Sequence, residues 1–471
     1  MPKSLKNSAS RRRFIQGGAL AGAAGLLSVK QSSAFASSSV TKQSGTAKNV
    51  IFLVADGLSH GTLGLAHHWS LRHRGECLNW IKMLDHAGLH HAQQDTASAS
   101  SPVTDSAAAA SAWGSGVRVN NGSINYSKAD RPLKPLMAYA KERGKATGLV
   151  STCRITHATP AGFAANVRKR DEEEVIARQY LDRGIDLILG GGLNRFKTDD
   201  QNLIPDFRAA GYSICEDRKS LQKVSNASQI LGLFSESHLP YALDRKNDPN
   251  LSAIPGLLEL FQAGLQALKK APEGFLLQVE SGRIDHAGHA NDPAAILHEY
   301  LEFDRCIEFA LEYAKKDRDT LVIVTTDHGT GGCQLDGLGK RYGDSGPALE
   351  RINRIRNSFE WMTNKFEAAG QFDAALFEEA TGIKASTLQI EAMNGEINNP
   401  TTSYLTSTMG AIFSREFTEI SSTGWSSNNH TAEVVDFFAL GPGSEPVEGF
   451  MQNTEAFYLV KQALGLGQGA G

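Results

Sequence analysis

The sequence predicts an α/β protein: a mostly parallel central sheet with helices on both faces, and its functional groups at the carboxyl ends of the strands. Three observations lead there. Short apolar runs have the length of buried strands, helical patterns lie between them, and carboxylates and histidines recur just after the runs. At 471 residues the chain suits one large α/β domain or two ordinary ones. Its 41 % hydrophobic and 21 % charged residues are those of a soluble globular protein and exclude wholesale disorder. With 48 Lys+Arg against 51 Asp+Glu there is no basic excess, so no nucleic-acid-binding surface is expected. Five cysteines, at 77, 153, 215, 306 and 333, form no C-x-x-C pair; buried free thiols are expected rather than a disulfide scaffold or zinc ribbon.

The first segment is not part of the fold. Ser10-Arg11-Arg12-Arg13-Phe14 opens a 13-residue apolar run, Gly17 to Val29, which closes on Ala34-Phe35-Ala36. A basic start, a short apolar stretch and a small-x-small ending describe an export signal over residues 1–36. The run is too short for a permanent membrane span, and no second span follows, so no stable membrane anchor is expected. The paired arginines before Phe14 resemble a twin-arginine signal, which implies the twin-arginine export machinery as a partner and a periplasmic or secreted protein. Residues 37–48, rich in Ser, Thr and Lys, read as a flexible leader, and the folded domain as 49–471.

Within that domain Val50–Val54, Ala146–Val150, Asp186–Leu189, Phe275–Val279, Leu321–Thr325 and Val435–Leu440 read as buried strands. The clearest helix runs from Asp292 to Lys316. It opens on a capping Asp followed by proline, and its apolar positions Ile296, Leu297, Tyr300, Leu301, Ile307 and Leu311 recur at three or four. Residues 335–425 break the rhythm with a charged helix-like part (Ala348–Phe366) and a polar Asn/Thr/Ser-rich part (Asn394–Thr408). They read as an inserted cap or crown standing over the sheet edge.

Ligands in such folds collect where loops and helix N-termini converge beyond the strands. Asp56-Gly57 follows the first strand, and His157-Ala158-Thr159-Pro160 follows the strand near Val150. Glu280 through Asp285, His286 and His289 follows Phe275–Val279, Asp327-His328 follows Leu321–Thr325, and His430-Thr431 precedes the last strand. Singly, an Asp after a strand is more often a helix cap than a ligand, and a lone His a satisfied surface or core residue. The seven histidines between 60 and 91 keep that bland reading. Jointly the rest point to a multi-metal centre: Asp285 and His289 share one face of a helical turn, and mixed His and carboxylate sets suit zinc while all-oxygen sets suit magnesium. Thr104-Asp105-Ser106, followed by five alanines within six residues, marks a helix with Asp105 or Ser106 at its N-terminus. As a plain cap this segment is unremarkable. As a site it offers a hydroxyl where backbone N–H groups favour bound phosphate and a neighbouring zinc would make it a nucleophile.

At this point six ordered segments resemble the alkaline phosphatase family: Asn49 to Gly57, Thr104 to Ser111, His157 to Arg170, Glu280 to His289, Thr325 to His328, and His430-Thr431. The resemblance covers about 48–334 and 425 to the end, leaving the insertion outside it. It implies hydrolysis of phosphate monoesters through a phosphoserine on Ser106. It implies that Asp285, His289 and His430 bind one zinc, and that Asp56, Asp327 and His328 bind a second. Asp56, Thr159 and Glu280 would contribute to a third site, usually magnesium. Arg170, otherwise one charge in a surface run, would clamp two phosphate oxygens with its planar fork. Dimerisation is common in the family.

The sequence departs from the best-studied bacterial pattern at two substrate-side positions. His157 stands where that pattern has an aspartate beside the magnesium site, and His286 where it has a lysine near phosphate. An imidazole in place of a carboxylate predicts weaker magnesium binding. A sulfatase or phosphodiesterase of the same superfamily is the alternative. Ser100-Ser101-Pro102-Val103-Thr104 misses the sulfatase C/S-x-P-x-R pattern at its arginine, and Arg170 favours monoesters over diesters. A non-enzymatic metal- or phosphate-binding protein would need no hydroxyl at the centre. Without residues 1–36, which hold six Lys+Arg and no acid, the chain carries 42 basic against 51 acidic residues, a net −9. The metal centre would then be a local positive spot on an acidic body.

Overall fold

A computed structural model describes residues 46–401 and 404–467; the signal expected over 1–36 and all but the end of the leader lie outside the described residues. Ala47, just before the first strand, is buried, and its N–H donates to the Ala463 carbonyl at 2.8 Å.

Ten strands form one sheet: β1 (Asn49–Val54), β2 (Leu89–Asp95), β3 (Ala146–Arg154), β4 (Leu187–Gly191), β5 (Ser213–Cys215), β6 (Ile230–Leu233), β7 (Phe275–Glu280), β8 (Thr320–Thr325), β9 (Val435–Leu440) and β10 (Glu448–Gln452). Their order is β10-β2-β9-β8-β1-β7-β3-β4-β6-β5. Strand β9 runs antiparallel to both neighbours, and every other pairing is parallel. β1, β7 and β8 are buried along their whole length. Ile51 and Leu53 enter the apolar cluster on one face of the sheet; Val50, Phe52 and Val54 enter the cluster on the other. Burial on both faces is why these strands read as unbroken apolar runs.

The helices that matter for the site are α1 (His60–Arg74), α2 (Ser106–Ser115), α3 (Ala158–Ala164), α4 (Arg283–Ala290), α5 (Pro293–Lys316) and α6 (Phe359–Ala369). α5 starts as the sequence predicts, with the Asp292 carboxylate accepting from the Ala294 and Ala295 N–H groups at 3.1 and 2.9 Å. Asp105 caps α2 in the same way, accepting from Ala108 N–H at 2.9 Å.

The inserted region differs from its sequence reading. The charged stretch 348–366 is not one helix: a helix ends at Arg351, Ile352–Arg354 forms a 3-10 turn, and α6 begins afresh at Phe359. The polar stretch 394–408 is partly helical too, made of the end of helix Thr387–Asn398 and the start of helix Leu405–Ile412. It also packs into the body of the domain. Phe359, Met362, Phe366, Met393, Met409 and Phe413 join the same apolar cluster as Ile296 and Tyr300 of α5, so the insertion shares the core on that face of the sheet. The five cysteines are free thiols, all buried but Cys77, which is half-buried. Among the described residues, no helix is long and apolar enough to cross a membrane.

Candidate active site

Strand register brings the candidate residues together. Val54 pairs with Glu280 of β7 and with Thr325 of β8, and Ser151 of β3 also pairs with Glu280, so β1, β7 and β8 end at one level and β3 passes it beside them. The chain leaves β1 through Gly57 at φ +76, where a Cβ would stand 2.6 Å from the Asp285 Cα. Only glycine lets the turn behind Asp56 sit against α4. Gly329-Thr330 then pairs antiparallel with His430-Thr431, which draws His430 in from the far end of the chain.

One trio is Asp285, His289 and His430. The His289 and His430 Nε2 atoms are 3.0 Å apart, and each lies 3.4 Å from Asp285 Oδ1. The other ring nitrogens face carbonyls, His289 Nδ1 at 2.6 Å from Asn428 O and His430 Nδ1 at 2.8 Å from Thr104 O. Each Nδ1 is therefore the protonated nitrogen, and the two Nε2 lone pairs and a carboxylate oxygen face one another with no proton between them. Tetrahedral zinc, with bonds of about 2.0–2.1 Å, separates its ligand atoms by about 3.3 Å, which is the spacing seen.

A second trio is Asp56, Asp327 and His328. His328 Nε2 lies 3.1 Å from Asp327 Oδ2 and 3.8 Å from Asp56 Oδ1, and the Ser106 Oγ is 3.3 Å from the same nitrogen. His328 Nδ1 is turned to the Gly329 carbonyl and the Thr330 hydroxyl, each at 3.3 Å. Beside this trio, Thr159 Oγ1 donates to Asp56 Oδ2 at 3.2 Å, and donor atoms of Asp56, His157 and Glu280 lie within 4.8 Å of one another.

Buried atoms that lack any hydrogen-bond partner collect here: Asp56 Oδ1, Asp327 Oδ2, Glu280 Oε1 and His157 Nδ1. Burial, then the Asp327, Asp285 and Glu280 carboxylates, pushes Asp56 well above the usual carboxylate range. Burial pushes Glu280 up to about 7, and burial with His328 pushes His430 down to about 4. Buried like charges and unsatisfied lone pairs at metal-ligand spacing are what divalent cations neutralise. The residues present fit metal ions at all three places.

The family model for alkaline phosphatase matches residues 47–466. The chain belongs to the alkaline phosphatase family. It is 35 % identical over 372 residues to alkaline phosphatase 3 of Bacillus subtilis, covering 77 % of each chain. Its fold matches the crystal structure of Thermus thermophilus alkaline phosphatase with a TM-score of 0.83 at 34 % identity, covering 90 % of this chain and 92 % of that one. It also matches a cold-active alkaline phosphatase from a Shewanella species with a TM-score of 0.74 at 29 % identity, over 89 % and 99 % of the two chains. The protein is a phosphatase enzyme.

In this phosphatase, Arg170, His157 and His286 lie beside the Ser106 helix and the Asp56 trio. Arg170 Nη1 donates to Asp105 Oδ2 at 3.1 Å, and Arg170 Nη2 is 3.0 Å from His157 Nε2. Asp105 thus caps the Ser106 helix with one oxygen and holds Arg170 with the other. His157 and His286 stand 5.6 Å apart, ring centre to ring centre. Burial and neighbouring arginines, Arg170 for His157 and Arg283 for His286, push both well below the usual histidine range and keep them neutral.

Four further residues belong to the site and are not legible as such in the sequence. Thr330 donates to Asp285 Oδ1 at 2.5 Å while touching His328, so it bridges the two trios. His238, 4.4 Å from the His286 ring, enters from the loop after β6. Arg283 and Glu360 form an ion pair behind His286. Only Arg283 carries a signal, since it lies within the segment Glu280 to His289. Among the histidines between 60 and 91, His60 pairs with Glu433 at 3.2 Å and His91 with Asp436 at 2.9 Å, both as structural contacts.

Proposed function

We propose that this phosphatase hydrolyses phosphate monoesters through a phosphoserine on Ser106, with Asp285, His289 and His430 holding one zinc, and Asp56, Asp327 and His328 a second. Asp56, Thr159 and Glu280 hold a third ion, magnesium, with His157 beside it. When bound, such ions stabilise charge on the attacking and leaving oxygens and lower the pKa of a hydroxyl or water. The observation that carries this reading is the Ser106 Oγ, 3.3 Å from a histidine nitrogen that also faces two buried carboxylates.

Ser106 attacks phosphorus in line with the leaving group; the Oγ–P bond forms as the ester P–O bond breaks, and the Ser106 proton passes, by way of solvent, to the departing alkoxide, which leaves as the alcohol. The N-terminus of α2 turns its N–H groups toward the developing charge. Arg170, oriented by Asp105, binds the non-bridging oxygens, where a loose transition state spreads its charge. Water then attacks the phosphoserine from the side the alcohol left, releasing inorganic phosphate and restoring the Ser106 hydroxyl. Two inversions give net retention at phosphorus. Because these groups grip the phosphoryl moiety, the leaving alcohol is free to vary.

Residues 1–36 are read as the twin-arginine signal that delivers the enzyme to the periplasm or beyond. Cell fractionation of an Arg12→Lys, Arg13→Lys chain tests that: the enzyme should stay in the cytoplasm. The chemistry is tested by turnover of an aryl phosphate, an aryl diester and an aryl sulfate by protein supplied with zinc and magnesium. Fast monoester hydrolysis lost in Ser106→Ala is expected. Preference for the sulfate or diester, or full activity in Ser106→Ala, would overturn the reading.

A further inference from the structure

Cys153, His238 and His286 form another group with donor atoms close enough for a cation. Arginine donors already occupy it. Arg283 Nη1 lies 2.7 Å from His286 Nδ1, and both His238 nitrogens face Arg154, whose backbone N–H is 3.2 Å from Nδ1 and whose Nη1 is 2.5 Å from Nε2. A cation would have to displace two guanidinium groups, so the group works differently.

A guanidinium keeps its protons, so at the Arg283–His286 contact the imidazole Nδ1 is the acceptor. The ring proton of a neutral His286 then sits on Nε2. Among the described residues Nε2 has no hydrogen-bond partner, while the ring lies against His157, which in turn touches Arg170. That leaves Nε2–H as the ring donor without a protein partner, on a ring packed beside the His157–Arg170 pair.

What fixes Arg283 comes from the inserted region. Arg283 is 1 % exposed, and its guanidinium lies 3.9 Å over the Tyr241 ring and donates through Nη2 to Glu360 Oε2 at 2.6 Å. Its Nε has no partner, and among the described residues Glu360 is the one carboxylate paired with it. Glu360 sits in the first turn of α6, whose entry is clamped from the core. Asp244 accepts from the Ser358 N–H at 2.8 Å and Asp292 from the Phe359 N–H at 2.7 Å.

We propose that Glu360 and Arg283 are positioning residues that hold His286 as a neutral Nε2–H donor to an oxygen of the bound phosphoryl group. The proposal rests on the phosphomonoesterase reading above. It gives the insertion a role in phosphate recognition, exerted through Arg283 on an imidazole that no insertion residue needs to touch. Loss of Glu360 leaves a buried arginine without its carboxylate, free to reorient and release Nδ1, after which the ring proton is no longer confined to Nε2.

The test is inorganic phosphate binding by calorimetry, with kcat and KM on an aryl phosphate, for the zinc- and magnesium-supplied enzyme and its Glu360→Ala, His286→Ala and double variants. Each single change is expected to weaken phosphate binding about tenfold, the order of one hydrogen bond to a charged group. The double variant should be no weaker than His286→Ala, because both changes remove the same donor. Glu360→Gln keeps an acceptor for Arg283 and should recover most of the affinity. Unchanged phosphate binding in Glu360→Ala, or losses that add in the double variant, overturn the proposal. Ring 15N shifts of His286 in the unmodified enzyme decide without any variant: a protonated Nε2 with a bare Nδ1 is expected, and the reverse tautomer refutes it. Failure of the functional reading is distinct, appearing as absence of monoester turnover by the unmodified enzyme.

Discussion

Replacing Thr330 by valine removes one hydroxyl and little else. Thr330 is fully buried, and its hydroxyl donates to Asp285 Oδ1 at 2.5 Å, the carboxylate oxygen that faces His289 and His430. A second contact, 3.3 Å to His328 Nδ1, ties the same oxygen to the other trio. Valine keeps the branched shape that packs beside Gly288, so no cavity term enters. What is lost is a short hydrogen bond to an ionised group, worth about 1.5–3 kcal/mol. Converted at about 1.4 kcal/mol per decade, that is one to two decades in affinity for the ion Asp285 holds. Partners that orient metal ligands have effects of about this size. The assay is zinc competition against a chromophoric chelator, with Thr330→Ser as the control that restores the hydroxyl. Thr330→Val should need more zinc for full activity yet approach the parent rate when zinc is in excess. Zinc affinity within twofold of the parent would refute the reasoning.

Two other perturbations address the charges of the centre. Glu280 in the folded, metal-free protein titrates at about 7 against an ordinary value of 4.5, so between those pH values the folded state holds a proton that the unfolded chain has released. Below about pH 6.5 the neutral His157, His286 and His430 oppose this, so the metal-free protein should lose stability as pH rises from about 6.5 to 8, and cations should weaken the trend; thermal melts of chelated and replete protein check it, and a chelated protein more stable at pH 8 than at pH 6.5 contradicts it. His157→Asp adds a carboxylate beside Asp56 and Glu280 and should tighten magnesium binding about tenfold or more, measured by titrating magnesium into the zinc-bound enzyme. Unchanged magnesium affinity would show that the neutral imidazole is not what limits the third site.

Most of the sheet is legible because its central strands are buried on both faces. Val50–Val54, Phe275–Val279 and Leu321–Thr325 can be read from composition alone. β2, with the sequence Leu-His-His-Ala-Gln-Gln-Asp, cannot, since its polar side chains find their partners only in the folded chain: His91 and Gln93 reach Asp436 of β9, and Gln94 accepts from Trp113. β5 and β6 are too short to leave a pattern, and β10 is an exposed edge. The site is legible where ligands directly follow strands or sit one helical turn apart, as Asp285 and His289 do. Supporting residues are hidden for the opposite reason. Glu360 is 77 residues from Arg283, and only tertiary packing makes them neighbours. Thr330 is an unexceptional residue in a glycine-rich stretch until its hydroxyl is seen between two ligands. That the insertion also completes the core beside α5 is not legible, because its apolar positions are scattered over several short helices.

The central claim is that Ser106 carries the phosphoryl group between the two half-reactions. Its most direct test is acid quench of the metal-replete enzyme during turnover of an aryl phosphate, followed by peptide mapping of the trapped protein. The account predicts phosphate on the peptide containing Ser106 and none on the Ser106→Ala protein. Active enzyme that yields no phosphorylated peptide under any quench condition, and that inverts configuration at phosphorus, would contradict it.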